Sequence, residues 1–236
     1  MHLRQPTDGS LAVYALLSIW ICVIISIVLP AQKTRETLLK TDNIAVLILD
    51  PGHGGLDGGA VSLTGTYESS LNWAIACRCR SLAQFCGLRA VMTRGSFDIA
   101  YPSELKSISA KKKWDTRSRV EFINSMPGAL LLSIHQNTFP SASPRGTQVL
   151  YAPDPSSREF GEVLRKAFAE TLPSDPKRPA VPAGRDIYLM NHVRGPALLV
   201  ECGFLSNPEE AVRLETEEYQ KTLAMIMIHA IRQNWE

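Results

Sequence analysis

Two histidines and one glutamate in this 236-residue sequence stand where an apolar run gives way to polar chain, and a second glutamate opens the segment behind the first of them. His53 lies in LDPGHGGLDGGA (49–60), directly behind the run IAVLIL (44–49). His135 follows ALLLSI (129–134), and Glu201 closes ALLVE (197–201). Glu68 opens ESSLNWAIACRCRSLAQFC (68–86), the segment after the glycine loop. Two His and one Glu are the ligand set of a catalytic zinc site with a fourth position left for water, and a second Glu nearby would then be the general base. Taken singly, each residue has a plainer reading. The histidines fit exposed loops, Glu68 fits an acid favoured at a helix N-terminus, and Glu201 fits a surface carboxylate. Jointly the plain reading weakens, because a carboxylate ending a run as apolar as ALLV costs desolvation unless it is paired. The residues are not in the compact H-E-x-x-H pattern, so a fold must bring them together.

The glycine loop itself narrows the chemistry. Glycine-rich turns after strands often cradle phosphates, but the G-x-G-x-x-G spacing breaks whether counted from Gly52 or Gly54, and no G-x-x-x-x-G-K-[ST] occurs. Asp50 and Asp57 would also repel a phosphate. What remains is an imidazole at the carboxyl end of a strand, where open α/β sheets bind ligands.

The elements that must position these groups alternate along the chain. IAVLILD (44–50), LRAVMT (88–93), ALLLSI (129–134), GTQVLYA (146–152), DIYLM (186–190) and ALLVE (197–201) read as strands. Their continuous apolar character is that of strands covered on both faces. Residues 68–86 place Leu71, Ile75, Leu82 and Phe85 at helical spacing, with Gly87 as a stop. Segments 114–125, 156–172 and 217–235 read as further helices, and the methionines of the last belong to a core. This alternation predicts one three-layer α/β domain: a twisted, mostly parallel or mixed sheet with helices on both faces. The Pro/Gly-rich segments 139–146 and 173–184 read as surface loops near strand ends.

Composition is that of an ordinary globular chain, 45% hydrophobic and 20% charged. A net charge of +2 offers no basic face for nucleic acid, and the single lysine run, 111–113, reads as a solvated loop or helix start. Residues 11–29, LAVYALLSIWICVIISIVL, are uncharged and near the length of about 20 that a membrane-spanning helix needs. The run is longer than a signal-peptide core and lacks an A-x-A cleavage site, which argues for an uncleaved anchor. Arg4 before it and Lys33, Arg35 and Lys40 after it leave orientation undecided by charge. The expected organisation is a short tail (1–10), a transmembrane signal anchor (11–30), a linker (31–43) and a catalytic domain (44–236). Five cysteines contain no C-x-x-C, so they read as small core residues, with Cys22 inside the span.

LDPGHGGLDGGA, the glutamate of YESSLNWAIA, SIHQN and VECGFLSNPEEA together resemble, in order, the four signature segments of zinc-dependent N-acetylmuramoyl-L-alanine amidases of the cell-wall hydrolase type. The resemblance spans residues 44–235 and implies His53, Glu68 and His135 as ligands of one zinc per chain, with Glu201 as the catalytic carboxylate. It implies peptidoglycan as substrate, and a catalytic domain on the wall side of the cell membrane. The single amino-terminal apolar segment, the stretch SELKSISAKKKWDTRSRV and IYLM before the last strand are most similar to the CwlD-like, spore-cortex branch of that family. An activating protein partner is open on this reading. Two competing classes stand beside it: a membrane-tethered zinc peptidase or deacylase acting on another amide, and a wall-binding protein without turnover. Asn137 is a further candidate for orienting a ligand or binding substrate, a plain loop hydrogen bond being its alternative, and His192 reads as a loop residue.

Overall fold

The computed structural model describes residues 46–172 and 178–235, so the expected tail, anchor and linker, and Cys22, lie outside the described residues. No described helix is long and apolar enough to cross a membrane.

Strand β1 (Val46–Pro51) is buried along its whole length. The other strands are β2 (Ala90–Met92), β3 (Ala129–Asn137), β4 (Gln148–Tyr151), β5 (Val181–Pro182) and β6 (Ala197–Phe204). They form one sheet in the order β2-β1-β3-β6-β4-β5. β1 runs parallel to β2 and β3, and β3 parallel to β6, while β4 is antiparallel to β6 and β5 follows β4. The sheet is therefore mixed, within the range the sequence predicts.

Among the described residues six helices flank it: α1 (Glu68–Phe85), α2 (Ile108–Asn124), α3 (Pro155–Thr171), α4 (Tyr188–His192), α5 (Pro208–Glu215) and α6 (Glu217–Gln233). Side-chain alternation along each central strand feeds two separate cores. Leu47, Leu49, Leu130, Leu132, Leu198 and Val200 pack toward α1, α3 and α6. Val46, Ile48, Leu131 and Leu199 pack toward α2 and α4. This is why the strands read as unbroken apolar runs: period-2 alternation is invisible when both faces are covered.

Three elements differ from the sequence reading. DIYLM is not a strand: residues 188–192 form the short helix α4, whose Leu189 and Met190 enter the second core. A five-residue apolar run has no period to separate strand from buried helix, and the two-residue β5 takes the sheet edge beside β4 instead. Helix α2 begins at Ile108 rather than near 114, with the Ser107 hydroxyl accepting from Ala110 N–H, so the lysine run lies on a helix. Helix α5 was not read from the sequence, although Asn207-Pro208-Glu209 is a sound start signal: the Asn207 side chain accepts from the N–H groups of Glu209 and Glu210. Among the described cysteines Cys79 and Cys202 are buried as expected, while Cys77 and Cys86 are half-buried, and all four are free thiols.

Candidate metal centre

The carboxyl ends of β1, β3 and β6 share one edge of the sheet. The register sets Asp50 beside Ser133 and Pro51 beside Ile134, and on the other side His135 beside Glu201. One irregularity between His135 and Asn137 ends the regular ladder at the candidate residues. Helix α1 returns over this edge, so its first residue, Glu68, is buried above the strand ends.

Glu68 is the hub. Its Oε2 accepts from Ala60 N–H at 2.9 Å and lies 3.3 Å from His53 Nε2. Its Oε1 accepts from Gln136 N–H at 3.1 Å and from the Asn72 amide at 3.3 Å, and lies 3.0 Å from His135 Nδ1. Burial alone would raise its pKa, but hydrogen bonds and charge from His135 and His53 hold it far below the usual carboxylate range. The two imidazoles meet edge to face with centroids 5.1 Å apart.

His53 is held from behind. Its backbone has φ +59°, and it is the sole described non-glycine residue with positive φ. Arg119, buried on α2, fixes that conformation by donating to the carbonyls of His53 at 2.6 Å and Pro51 at 2.9 Å. The same guanidinium pairs with Asp50 at 3.2 Å and Asp115 at 2.6 Å. Asp50 also accepts from Thr93 and Ser133 hydroxyls, both at 2.7 Å. Burial would raise the Asp50 pKa, yet Arg119 and those two hydroxyls bring it below its ordinary value. At the other end of the ring, His53 Nδ1 lies 2.9 Å from Asp57 Oδ2, and Lys112 approaches Asp57 Oδ1 at 2.8 Å. Burial would depress the His53 pKa, but the hydrogen bonds and charges of Asp57 and Glu68 outweigh it and raise it to about 9.

The glycines make room for these side chains. A Cβ on Gly52 would run into the His135 ring. On Gly59, at φ +69°, it would come 2.8 Å from His53 Cδ2 and against the Glu68 carboxylate. The glycines thus give clearance to the site's own side chains.

Glu201 sits apart from this hydrogen-bonded set. It is half-buried, and its Oε2 is buried with no hydrogen-bond partner. Burial raises its pKa, the His135 charge lowers it and the Glu68 charge raises it, leaving it at about 7.

One donor atom each from His53, Glu68 and His135 lie within 4.8 Å of one another. Tetrahedral zinc with bonds of about 2.0–2.2 Å spaces its donors roughly 3.4 Å apart, so the trio needs only a small contraction around an ion. Glu68, Asp57 and Glu201 bring three carboxylates to the site, with a half-exposed Lys112 in partial compensation. The donor set and the charge both fit a divalent cation.

A sequence profile for the family described as N-acetylmuramoyl-L-alanine amidase matches residues 47–233, nearly the whole described domain. The chain is a member of the N-acetylmuramoyl-L-alanine amidase family. Relatives of this amidase include the germination-specific N-acetylmuramoyl-L-alanine amidase of Bacillus subtilis, 36% identical over 180 residues, covering 76% of this chain and 75% of that one. LytC of the same organism is 27% identical over 200 residues, covering 83% of this chain but only 37% of the longer LytC. Among solved structures, the CwlD amidase of Clostridioides difficile, in complex with the GerS lipoprotein, superposes with a TM-score of 0.76 at 31% identity. That likeness covers 80% of this chain and 97% of the CwlD chain. AmiC2 of Nostoc punctiforme gives a TM-score of 0.68 at 26% identity, covering 80% and 95%.

All four residues singled out in the amidase sequence therefore meet at one sheet edge. Two others do not join them. Asn137 makes the plainer loop interaction, donating to Gln148 at 3.3 Å and accepting from Thr138 N–H. His192 ends α4, exposed and stacked on Tyr188 with centroids 3.8 Å apart. The sequence reading missed Arg119, which looked like one charge among several on an amphipathic helix. It also passed over Asp57 as a partner of His53, although the four-residue spacing inside a tight glycine loop was a usable signal.

Proposed function

We propose that this chain hydrolyses the amide joining the lactyl group of N-acetylmuramic acid to L-alanine in peptidoglycan, using one zinc ion held by His53, Glu68 and His135. The observation that carries the reading is the pairing of a three-donor cradle with a neighbouring carboxyl oxygen, Glu201 Oε2, that is buried and unpartnered. A ligand carboxylate would be engaged by its neighbours; a proton carrier must have a free oxygen.

Bound zinc would supply Lewis-acid chemistry, polarising the amide carbonyl and acidifying water. The chain's own residues do the rest. Glu201 takes a proton from the attacking water at Oε2 and passes it to the departing alanine nitrogen, which cannot leave as an anion. A pKa raised to about 7 suits a group that must accept and then release a proton near neutral pH. Asp57 accepts a hydrogen bond from His53 Nδ1–H, which leaves Nε2 directed toward Glu68 and the cradle. Arg119 fixes the backbone that carries that ring.

Likeness to the germination-specific and CwlD enzymes favours spore-cortex maturation or related wall remodelling as the setting. A wall substrate together with the uncharged run 11–29 supports a domain on the outer side of the cell membrane, tethered by an uncleaved span. The GerS complex of the Clostridioides difficile enzyme supports extending the proposal to an extracytoplasmic protein partner.

The test separates ligands from base on the same preparations. His53→Ala, Glu68→Ala and His135→Ala should lose zinc and activity together, whereas Glu201→Gln should keep zinc and lose turnover by about 10²–10⁴-fold. Zinc loss in Glu201→Gln would make Glu201 a ligand and overturn the assignment.

A further inference from the structure

Phe85 is one of four apolar residues set at helical spacing in 68–86, yet it stays out of the core. Leu71 and Ile75 are buried and Leu82 packs against the core, whereas Phe85 is 88% exposed. Its neighbours form two stripes. Arg78, Leu82 and Phe85 follow one another on α1, and Lys221, Met225, Ile228 and Arg232 on α6, at the three- and four-residue steps that keep to one helix face. Two grooves run between these helices and share Leu82 and Met225 in their lining. Met225 is 53% exposed. No aspartate or glutamate lines either groove, while Arg78, Lys221, His229 and Arg232 do. Arg78 and Lys221 approach one carboxylate, Glu217, at 3.8 and 3.1 Å, so the rim keeps an excess of positive charge.

This face reaches the end of the sheet opposite the metal centre. Helix α1 starts at Glu68 above the strand ends and runs back for 18 residues, about 27 Å. Five residues after Phe85 comes Ala90, the register partner of Leu47 near the start of β1. The chain therefore enters the domain at the Phe85 end. Residues 30–45 separate that entry from the uncharged run 11–29. At 3.3–3.6 Å per residue they reach no farther than about 55 Å.

We infer that the α1–α6 face around Phe85 and Met225 docks on the anionic lipid surface of the membrane that holds the tether. This rests on the tethered topology proposed above. Exposed apolar side chains inside a basic rim match such a surface: the apolar groups enter the boundary between headgroups and acyl chains, and the cations meet lipid phosphates. The short connection favours lipid over a diffusing protein as the occupant, because it holds this end of the domain near the bilayer at high effective concentration. Docked this way, His53, Glu68 and His135 stand about a helix length above the lipid, facing the wall.

The experiment uses the full chain in nanodiscs whose lipids carry brominated acyl chains, since bromine quenches indole emission on contact. Phe85→Trp should add emission over the parent that is blue-shifted and mostly quenched in phosphatidylglycerol discs, and less quenched in phosphatidylcholine discs. Val212→Trp, at an exposed apolar site on α5 beyond the metal edge of β6, should add emission that stays unquenched. Lys221→Gln with Arg232→Gln should weaken docking about fivefold per charge and restore emission in the Phe85→Trp chain. Equal quenching in Phe85→Trp and Val212→Trp would mark indiscriminate contact and overturn the inference. A blue-shifted but unquenched emission in Phe85→Trp would also overturn it, because protein rather than lipid would then cover the face. Emission neither shifted nor quenched, in a chain that stays with the discs, would overturn it and leave the tether standing. A parent chain that does not co-purify with the discs would overturn both.

Discussion

Glu201→Gln should make the metal-free domain more stable while removing its activity. The carboxyl pKa rises from 4.5 to about 7 on folding, chiefly because burial disfavours the ionised form. Below about pH 4.5 the group is neutral in both folded and unfolded chains and has no effect. Between that pH and 7 the unfolded chain ionises while the native one keeps its proton, so stability falls as pH rises. Above 7 the loss levels off. The rise from 4.5 to about 7, at about 1.36 kcal/mol per tenfold change in proton affinity, is worth about 3 kcal/mol, an upper value because Glu201 is only half-buried. The amide has no charge to bury. Urea titrations with chelator present should therefore place Glu201→Gln up to about 3 kcal/mol above the parent at pH 8, and less than about 1 kcal/mol above it at pH 5. In melting temperature the gap at pH 8 is roughly 5–10 °C for a domain of this size. Zinc should narrow it, since a cation beside Glu201 favours the carboxylate. Equal stabilities at pH 8, or a less stable variant, would refute the reasoning, because the carboxylate would then be paired or hydrated in the native state.

Arg119→Met removes one partner from a buried ion pair and frees the His53 carbonyl, so it should cost about 3–5 kcal/mol by urea denaturation and weaken zinc retention against a chelator. Unchanged zinc affinity would show that the His53 backbone holds its conformation without the guanidinium. Gly59→Ala forces a Cβ toward Glu68 and His53 at a positive φ, and should lower zinc affinity at least about 10-fold with a stability loss of about 1–3 kcal/mol; isothermal titration with zinc measures it, and parent-like affinity would show that the cradle relaxes. Protease added to intact protoplasts should degrade the catalytic domain while mature protein retains residues 1–30. Protection would reverse the proposed topology, and an amino terminus beyond residue 30 would indicate a cleaved signal.

The candidate residues stood out in the sequence because strands covered on both faces end abruptly. His53, His135 and Glu201 each follow an unbroken apolar run, and the break is the visible sign of the sheet edge. Their convergence was not legible from those runs. The His135–Glu201 pairing joins residues far apart in the chain, and Glu68 reaches them only because α1 folds back over the edge. The supporting groups were hidden for a different reason. Arg119 and Asp50 are charged residues whose burial depends on each other, and no local pattern distinguishes such a pair from two solvated charges. Residues 186–190 misled because a five-residue apolar run satisfies a strand and a buried helical turn equally well.

The central claim is cleavage of one particular bond by a metal-dependent site, and mass spectrometry of the products released from purified peptidoglycan tests it most directly. The expected products are free stem peptides beginning with L-alanine and glycan strands bearing unsubstituted muramic acid, lost on chelation and restored by zinc. Products cut within the peptide or the glycan, or release that continues at full rate after the metal is stripped, would contradict it.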